Sequence, residues 1–398
     1  MALKVAAIKE SAAGERRVAL APEAVGRLKG LDIEVLVETG AGAASWYPDE
    51  AYEQAGASVL DADDVGKNAD VIVCIGRPSP ATVGALRPGQ AVIGLLQPLT
   101  DPAFAAELAA AGVTAVSLDG LPRTVSRAQS MDVLSSQASV AGYRAALTAA
   151  SVYDRYFPLL VTAAGTARPA EVLVLGAGVA GLQAIATARR LGAVVRAYDV
   201  RPASAAEVES LGAQFVRLAS VESGAGEGGY ARALTAEEQQ AQQDELAGHI
   251  AKHNVVITTA QVPGRRPPVL VTEAAVAAMA PGSVVVDLGA SPLGGNVAGS
   301  RPDETVVTEN GVTIVGAGNL ASDAAAAASA AYSRNVCALL THLVHDGALV
   351  IDLADEIQAG IVITHDGAVV HGPTNALLKP ADPAVSANGD RVNGGQNA

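Results

Sequence analysis

The sequence predicts an α/β fold in which two parallel-sheet domains are joined by long helices. Short apolar strands alternate with helical segments over most of the chain, which is typical of a parallel sheet covered by helices. Two long Ala-rich segments, within 121–157 and 322–345, have helical spacing and are long enough to bridge domains. The length of 398 residues also suggests two or three domains, at about 150 residues each.

Composition limits the partners that this chain is expected to bind. Half of its residues are hydrophobic but only 3% are aromatic, so Ala, Val and Leu must build the core. The net charge of −14 argues against nucleic acid or an anionic membrane surface. No signal-peptide pattern and no apolar run of the ~18 residues needed for a membrane span are present. Because Cys74 and Cys337 match no metal spacing, we expect a cytoplasmic protein with reduced cysteines and no metal.

The first domain is predicted to be discontinuous in sequence. Five strands are expected before residue 118, and none is followed by a glycine-rich turn. The two short strands within 347–371 are too little for a separate domain and are expected to complete the first one. The predicted division is therefore 1–127 with 328–379, an inserted domain at 128–327, and a disordered, polar tail at 380–398.

A Rossmann-like dinucleotide site is predicted in the inserted domain. A buried strand at 172–175 is followed by Gly176, Gly178 and Gly181, in G-x-G-x-x-G spacing, and then by a helix at about 179–191. The first glycine permits a tight turn, the second lets the backbone approach a pyrophosphate, and the third lets the helix pack closely on the strand. The N-terminus of that helix favours the phosphates.

The acid at the end of the next strand predicts the choice of cofactor. Asp199 lies eighteen residues past Gly181, where a carboxylate binds the ribose hydroxyls and repels a 2′-phosphate. NAD(H) is therefore favoured over NADP(H). Arg201 is interpreted as a neighbour of the adenine or ribose.

A polar constellation precedes the first long helix. Its members fall within thirteen residues, at the place where the chain crosses between domains: Arg123, Arg127, Gln129, Asp132 and Ser135. Ligand sites favour such crossings. Simpler interpretations stay open, since Ser126 with Gln129 fits a capping box, Asp132 fits the helix dipole, and Ser135 could bond to a carbonyl one turn earlier.

The long Gly-rich loop between 216 and 235 has two interpretations. It contains Gly229 and Tyr230 and interrupts the α/β rhythm. Connections of this length are commonly either surface insertions or functional segments. Either it is a surface insertion, or it is a mobile lid that brings Tyr230 over the cofactor.

An obvious acid–base residue is missing from the predicted cleft. Every His lies after residue 248, and the strand ends of the first domain offer Arg77 and Gln97 instead. A dehydrogenase acting on an alcohol or amino acid usually needs His or Lys for proton transfer. His249 and His253 are four apart, but no third ligand supports a metal site.

These motifs resemble the NAD(H)-binding component of the proton-translocating NAD(P) transhydrogenases. The resemblance rests on SRAQSMDVLSSQ, the glycine turn, YDVRP, GEGGYA, TTAQVPG and VVDLGAS-LGGN, and it covers nearly the whole chain from Lys4 to His371. Alanine dehydrogenase is the nearest related class. The resemblance implies a homodimer with NAD(H) in the cleft between its domains. It also implies a partner that binds NADP(H), membrane subunits, and a peripheral location on the cytoplasmic face of the membrane.

The resemblance also implies roles for individual residues. The polar loop and the lid supply the catalytic set, which is Arg123, Gln129, Asp132, Ser135 and Tyr230. The cofactor-binding set is Gly176, Gly178, Val179, Gly181, Asp199, Val200, Arg201, Gly229 and Gln261. The family more often has an apolar residue where Gln261 stands. The segment TVSRAQ is one residue longer than the common pattern, so the choice between Arg123 and Arg127 stays open.

Direct hydride transfer would explain the missing acid and base. Hydride passing from one nicotinamide to another leaves no substrate O–H or N–H to deprotonate, so positioning and shielding from water would suffice. The expected reaction is NADH + NADP⁺ → NAD⁺ + NADPH, coupled to proton translocation by other subunits. The alternatives are an NAD-dependent amino-acid dehydrogenase of the alanine type and a non-catalytic NAD-binding redox sensor.

Overall fold

The structure is a computed structural model, and it describes residues 2–220, 232, 234–261 and 264–378. Before the first long helix the elements are β1 (Leu3–Ala7), α1 (Pro22–Lys29), β2 (Ile33–Glu38), α2 (Asp49–Ala55), β3 (Ser58–Leu60), α3 (Ala62–Asn68), β4 (Val71–Val73), α4 (Pro80–Gly84), β5 (Ala91–Gly94), α5 (Pro102–Ala110) and β6 (Thr114–Ser117). A 3₁₀ turn at Ser126–Met131 leads into the long helix.

The second unit begins with that long helix and its sheet follows. Its elements are α6 (Val133–Val152), β7 (Leu160–Thr162), β8 (Gly165–Ala167), β9 (Glu171–Leu175), α7 (Val179–Arg190), β10 (Val194–Tyr198), α8 (Ser204–Ser210), β11 (Gln214–Phe215), α9 (Ala236–Ile250), β12 (Val255–Thr258), α10 (Glu273–Ala277), β13 (Val284–Asp287), β14 (Thr305–Val307) and β15 (Thr313–Gly316). The chain then returns through α11 (Ala325–Leu343), β16 (Val344–His345), β17 (Ala348–Leu349), α12 (Glu356–Ile361), β18 (Val362–His365), β19 (Ala368–Val369) and α13 (Gly372–Leu378).

Two large sheets, both mainly parallel, form the architecture. The first has the order β19-β18-β6-β5-β4-β1-β2-β3, and the second has the order β11-β10-β9-β12-β13-β15-β14. Strands β14, β18 and β19 are antiparallel to their neighbours. The predicted α/β fold with two parallel-sheet domains is therefore confirmed. The C-terminal strands β18 and β19 extend the first sheet, whereas the precise boundaries at 127 and 328 stay a prediction, and the tail at 380–398 lies outside the described residues.

Each sheet is buried on both faces. In β9, Val172 and Val174 pack into one apolar cluster with α6 and α7, while Leu173 and Leu175 pack into another with α9 and α10. This alternation follows from the period of two along a strand. The second sheet reverses its direction of growth between β9 and β12, and α/β folds bind ligands at such a switch point.

The long helix α6 differs from its predicted pattern. The expected apolar stripe included Met131, Leu134, Ala138, Ala141, Ala145, Thr148 and Val152. The buried residues within α6 are Val133, Gln137, Gly142, Ala145, Ala146 and Ala149, and of these only Ala145 belongs to the expected stripe. Val152 is exposed. Helices pack on two sides of α6, so a single stripe describes it poorly. None of the helices in the described ranges is long and apolar enough to cross a bilayer.

Candidate functional site

The glycine turn has the geometry that a dinucleotide-binding turn requires. Gly176 has a φ of +103°, and a Cβ there would lie 2.6 Å from Thr259 Oγ1. A Cβ at Gly181 would lie 2.9 Å from the carbonyl carbon of Gly176, so helix and strand pack too closely for a side chain. At Gly178 a Cβ would meet no atom within 4 Å. The first and third glycines are therefore packed against other protein atoms, whereas the space beside the second glycine is free for a ligand.

The start of α7 is available to an anion. Val179 is its first residue, and the N-cap, Gly178, offers no side chain to cap the first turn. Backbone N–H groups at a helix N-terminus, together with the positive end of its dipole, bind phosphate. The residues at this turn therefore suit a pyrophosphate.

The two predicted residues at the adenosine end bind each other. Arg201 donates from its backbone N and Nε to Asp199 Oδ1 and from Nη2 to Oδ2, each at 2.9 Å. The backbone N of Ala177, inside the glycine turn, donates to Asp199 Oδ2 at 2.8 Å. Val200 packs against the apolar cluster beneath. Asp199 thus ties the end of β10 to the turn and neutralises the nearest arginine.

The polar loop brings together three of its four predicted residues. Asp132 is the N-cap of α6, and its Oδ1 accepts from the backbone N of Ser135 at 2.9 Å. Ser135 Oγ donates to Asp132 Oδ2 at 2.6 Å. Arg123 Nε lies 3.3 Å from the same oxygen, and Arg123 Nη2 donates to Ser135 Oγ at 3.1 Å. Asp132 therefore caps the helix and at the same time contacts Arg123 and Ser135, so the two interpretations of this residue are compatible.

The structure separates the two candidate arginines. Arg127 pairs with Asp355 at 2.8 Å and with Glu356 at 3.4 Å, and its side chain is 54% exposed. Arg123, not Arg127, belongs to the cluster with Asp132. Gln129 is exposed, and its side chain makes no hydrogen bond within the part of the chain that the structure describes. The capping box considered for Ser126 and Gln129 does not form, because Val125 occupies the N-cap position without a side-chain cap.

Helix α6 connects the polar loop to the glycine turn. It crosses the start of α7 at Gly142, where a Cβ would lie 2.8 Å from the carbonyl carbon of Ala180 and 2.9 Å from its Cα. Ser135 and Gly142 are seven residues apart, or about 10 Å along a helix. The loop and the turn therefore lie on two helices in direct backbone contact.

A buried hydrogen-bond network fixes the loop that follows β12, and sequence reasoning missed its two central residues. Asp287 Oδ1 accepts from Thr258 Oγ1 at 2.8 Å and from the backbone N of Gly289 at 2.9 Å. Asn296 Oδ1 accepts from the backbone N of Ala260 at 3.0 Å, and Asn296 Nδ2 donates to the Ala260 carbonyl at 2.8 Å. Both side chains are fully buried. The available signal was an acid at the end of a buried strand, directly before a Gly-rich loop.

The predicted residue Gln261 is attached to the loop that carries this network. Its Nε2 donates to the carbonyl of Leu288 at 2.5 Å. Three residues later, a Cβ at Gly264 would lie 2.9 Å from the Cβ of Leu99, in the loop after β5. Loops that follow the carboxyl ends of strands in the two sheets are therefore in contact here.

Family models match both halves of the chain. The model of "Alanine dehydrogenase/PNT, N-terminal domain" matches residues 6–141, and that of "Alanine dehydrogenase/PNT, C-terminal domain" matches residues 145–372. The chain belongs to the alanine dehydrogenase/PNT family. This confirms the resemblance drawn from the motifs.

Within the alanine dehydrogenase/PNT family, this chain is more similar to transhydrogenases than to alanine dehydrogenases. NAD(P) transhydrogenase subunit alpha of Cereibacter sphaeroides is 44% identical over 376 residues, covering 93% of this chain and 72% of that protein. Alanine dehydrogenase of Bacillus subtilis is 30% identical over 285 residues, covering 70% and 68%. The crystal structure of transhydrogenase from Sinorhizobium meliloti superposes with a TM-score of 0.83 at 45% identity, covering 92% and 100%. These similarities support a transhydrogenase subunit with an oxidoreductase role.

In this family member, the cleft end of the first domain is occupied by internal contacts. Arg77 Nη1 donates to Asp101 Oδ2 at 2.8 Å, its Nε donates to the Leu96 carbonyl at 3.0 Å, and its guanidinium lies over the Phe104 ring. Gln97 has a φ of +53° and donates its backbone N to Asp119. Arg77 is thus held by contacts within the first domain itself.

A partly buried acid lies at the corresponding edge of the first sheet. Glu10 accepts from the backbone N of Ile75 at 2.6 Å and, more weakly, from that of Gly76 at 3.4 Å. Burial raises the pKa of Glu10 to about 7, because the two N–H donors compensate only some of the lost hydration. This carboxyl group therefore titrates near neutral pH.

The remaining predicted residues fall into two groups. Gly229 and Tyr230, the residues of the suggested lid, lie outside the described residues. His253 is buried and bonds to the His249 carbonyl through Nδ1. Across the described ranges, no group of three or more His, Cys, Asp or Glu side chains could hold a metal ion.

Proposed function

We propose that this chain is the NAD(H)-binding subunit of a proton-translocating NAD(P) transhydrogenase. It transfers hydride directly between NADH in its own cleft and NADP⁺ bound to a partner subunit. The observation that carries the proposal is the cluster of Arg123, Asp132 and Ser135 at the start of α6, the helix that contacts the first turn of α7 at Gly142. This cluster fixes the orientation of polar groups, but it contains no His or Lys side chain that could transfer a proton.

The binding residues divide the dinucleotide between them. The glycine turn and the start of α7, including Val179, hold the pyrophosphate. Asp199 binds the ribose hydroxyls of the adenosine end, with Arg201 and Val200 beside it. Gln261, Gly229 and Tyr230 enclose the nicotinamide end. The open side of Gly178 and the position of Asp199, which is hydrogen-bonded to the backbone of the glycine turn, support this division. To bind the ribose hydroxyls, Asp199 must exchange one of the hydrogen bonds that it accepts from Arg201.

The chemistry that the chain supplies is orientation and shielding. Asp132 and Ser135 accept and donate at fixed positions, and Arg123 supplies a positive charge beside them, with Gln129 exposed nearby for the incoming substrate. A reaction between two nicotinamides needs their C4 atoms at roughly 3–3.5 Å, without water between them. No side chain has to move a proton.

The proposed assembly has several chains. This subunit forms a homodimer and docks an NADP(H)-binding subunit, which connects it to membrane subunits that translocate protons. It therefore lies at the cytoplasmic face of the membrane through its partners. No nucleic acid is involved.

Partner dependence tests the proposal. The isolated chain is expected to bind NADH in calorimetry but to give no NADPH until the NADP(H)-binding component is added. Deuterium at C4 of NADH should then appear in NADPH without exchange with solvent. Turnover of alanine and NAD⁺ by the chain alone would favour the alanine-dehydrogenase alternative, and tight docking without hydride exchange would favour the sensor.

Asp132→Asn tests the polar loop. Asn preserves helix capping, while it removes the charge beside Arg123, so hydride transfer should fall much more than NADH affinity. Asp355→Asn is a matched control, because Asp355 also caps a helix and pairs with an arginine, at similar exposure. An equal loss of NADH affinity and of rate in Asp132→Asn would contradict the assigned role.

A further inference from the structure

A second cavity lies behind the polar loop, away from the dinucleotide turn. Its volume is about 290 Å³, and α1, α11 and residue 130 line it. The residues that matter for its chemistry are Arg27, Leu28, Ser130, Arg334 and Cys337. Its size is close to the lower end of the range for small-molecule sites, about 300–1,000 Å³.

The charges that face this cavity are positive and unpaired. Within the described ranges, neither Arg27 nor Arg334 makes an ion pair or a side-chain hydrogen bond, and no acidic residue lines the cavity. Both arginines are exposed residues, so an anion in solvent can reach their guanidinium groups. Two free guanidinium groups in a chain of net charge −14 indicate a site for an anion, since guanidinium binds phosphate and carboxylate strongly.

The floor of the cavity is apolar. Leu28 is fully buried and Cys337 is 5% exposed. Burial raises the pKa of the Cys337 thiol to about 11, so the thiol stays neutral and acts as part of the apolar wall rather than as a nucleophile. The ligand that suits this lining has a doubly charged head and a small apolar body.

The cavity is joined to the polar loop through Ser130. This residue directly follows Gln129, and Asp132 comes two residues later. The Ser130 carbonyl accepts from Asn335 Nδ2, on α11, at 2.7 Å. The Oδ1 of Asn335 is buried and has no hydrogen-bond partner among the described residues. The same stretch of α11 thus carries Arg334 and supports the back of the loop.

We propose that this cavity is a second ligand site, specific for small organic phosphate monoesters, which act on the polar loop from behind. A phosphate monoester carries between one and a half and two negative charges near pH 7, which matches two guanidinium groups. Binding to the cavity does not depend on the proposed function, whereas the effect on hydride transfer rests on it.

Calorimetry with phenyl phosphate tests the binding. The full chain is first saturated with NADH, so that the probe cannot occupy the dinucleotide turn. We expect one site per chain, an affinity reduced about tenfold or more in Arg27→Gln and in Arg334→Gln, and unchanged affinity in Arg155→Gln, which alters an exposed arginine elsewhere. Phenol, which lacks the charge, should not bind. Absence of binding at millimolar probe, or equal binding by all variants, would overturn the proposal.

One further measurement tests the link between the cavity and the main site. With the partner component present, the probe should change the hydride-transfer rate of the unsubstituted chain but not that of the Arg27→Gln/Arg334→Gln variant. An unchanged rate would remove the link to the loop. Failure of NADH itself to bind would contradict the proposed function and leave the cavity result standing.

Discussion

The contact between α6 and α7 predicts the effect of a single methyl group. In Gly142→Ala, the new Cβ would lie 2.8 Å from the carbonyl carbon of Ala180 and 2.9 Å from its Cα, and closer still to its carbonyl oxygen. Ordinary contacts between carbon atoms are about 3.5–4.0 Å, so the helices must separate by roughly 1 Å. All three contacted atoms belong to the backbone, and no side-chain rotation relieves them.

The magnitude follows from two opposing terms. Overpacking of this kind costs about 1–3 kcal/mol, while Ala in place of Gly in a helix stabilises by about 1 kcal/mol. We expect a net loss of about 1 kcal/mol in the free energy of unfolding, or about 2–4 °C in Tm for a domain of this size. Because Ala180 belongs to the first turn of α7, NADH affinity should also fall.

A matched variant makes the test decisive. Gly248 lies inside α9, and a Cβ there would meet nothing within 4 Å, so Gly248→Ala should raise Tm. Thermal melts of both variants measure the stabilities, and calorimetric NADH titration measures the effect on the turn. If Gly142→Ala raised Tm as Gly248→Ala does and left NADH affinity unchanged, the argument from close helix packing would be wrong.

Three other outcomes are expected. In the assay reconstituted with the partner, Arg123→Gln should slow hydride transfer by roughly 10- to 100-fold, because charged hydrogen bonds are lost. Arg127→Gln should leave the rate nearly unchanged. Equal losses in the two variants would contradict the choice of Arg123. Because the pKa of Glu10 is raised from 4.5 to about 7 on folding, its contribution to stability is complete below pH 4.5 and is lost as pH rises through 7. Glu10→Gln should therefore flatten the decline of Tm between pH 5 and 8, and an unchanged slope would refute this. Asn296→Ala should lower the free energy of unfolding in urea by about 2–3 kcal/mol, since three backbone groups lose their partner; a loss below about 0.5 kcal/mol, the usual size for surface substitutions, would count against the network.

Much of the fold could be predicted because its evidence is local in sequence. Buried parallel strands are continuous apolar runs, and the strand predicted at 172–175 is observed at Glu171–Leu175. The short elements from 49 to 68 and the hairpin of β7 and β8 were not predicted, because elements of three to seven residues contain too few periods to stand out. In Ala-rich α6, small side chains occur on every side, so periodicity could not identify the buried face.

The site was predictable only where a motif fixes the geometry. The glycine spacing and Asp199 identify the turn because a strand, a turn and a helix of fixed length bring them together. The choice between Arg123 and Arg127 depends on which carboxylate each side chain reaches, and Asp355 lies more than two hundred residues away in sequence. Asp287 was missed because its partners come from several separate segments.

The double attachment of Asp199 has an evolutionary consequence. In the proposed site, one carboxylate disfavours a 2′-phosphate and also binds the nearby guanidinium of Arg201. A single substitution that removed it would delete both effects at the adenosine end of the proposed site. The same substitution would also free the backbone donor of Ala177 in the glycine turn. The proposed selectivity for NAD(H) and the rigidity of the glycine turn therefore depend on the same side chain, so evolution cannot change one without the other.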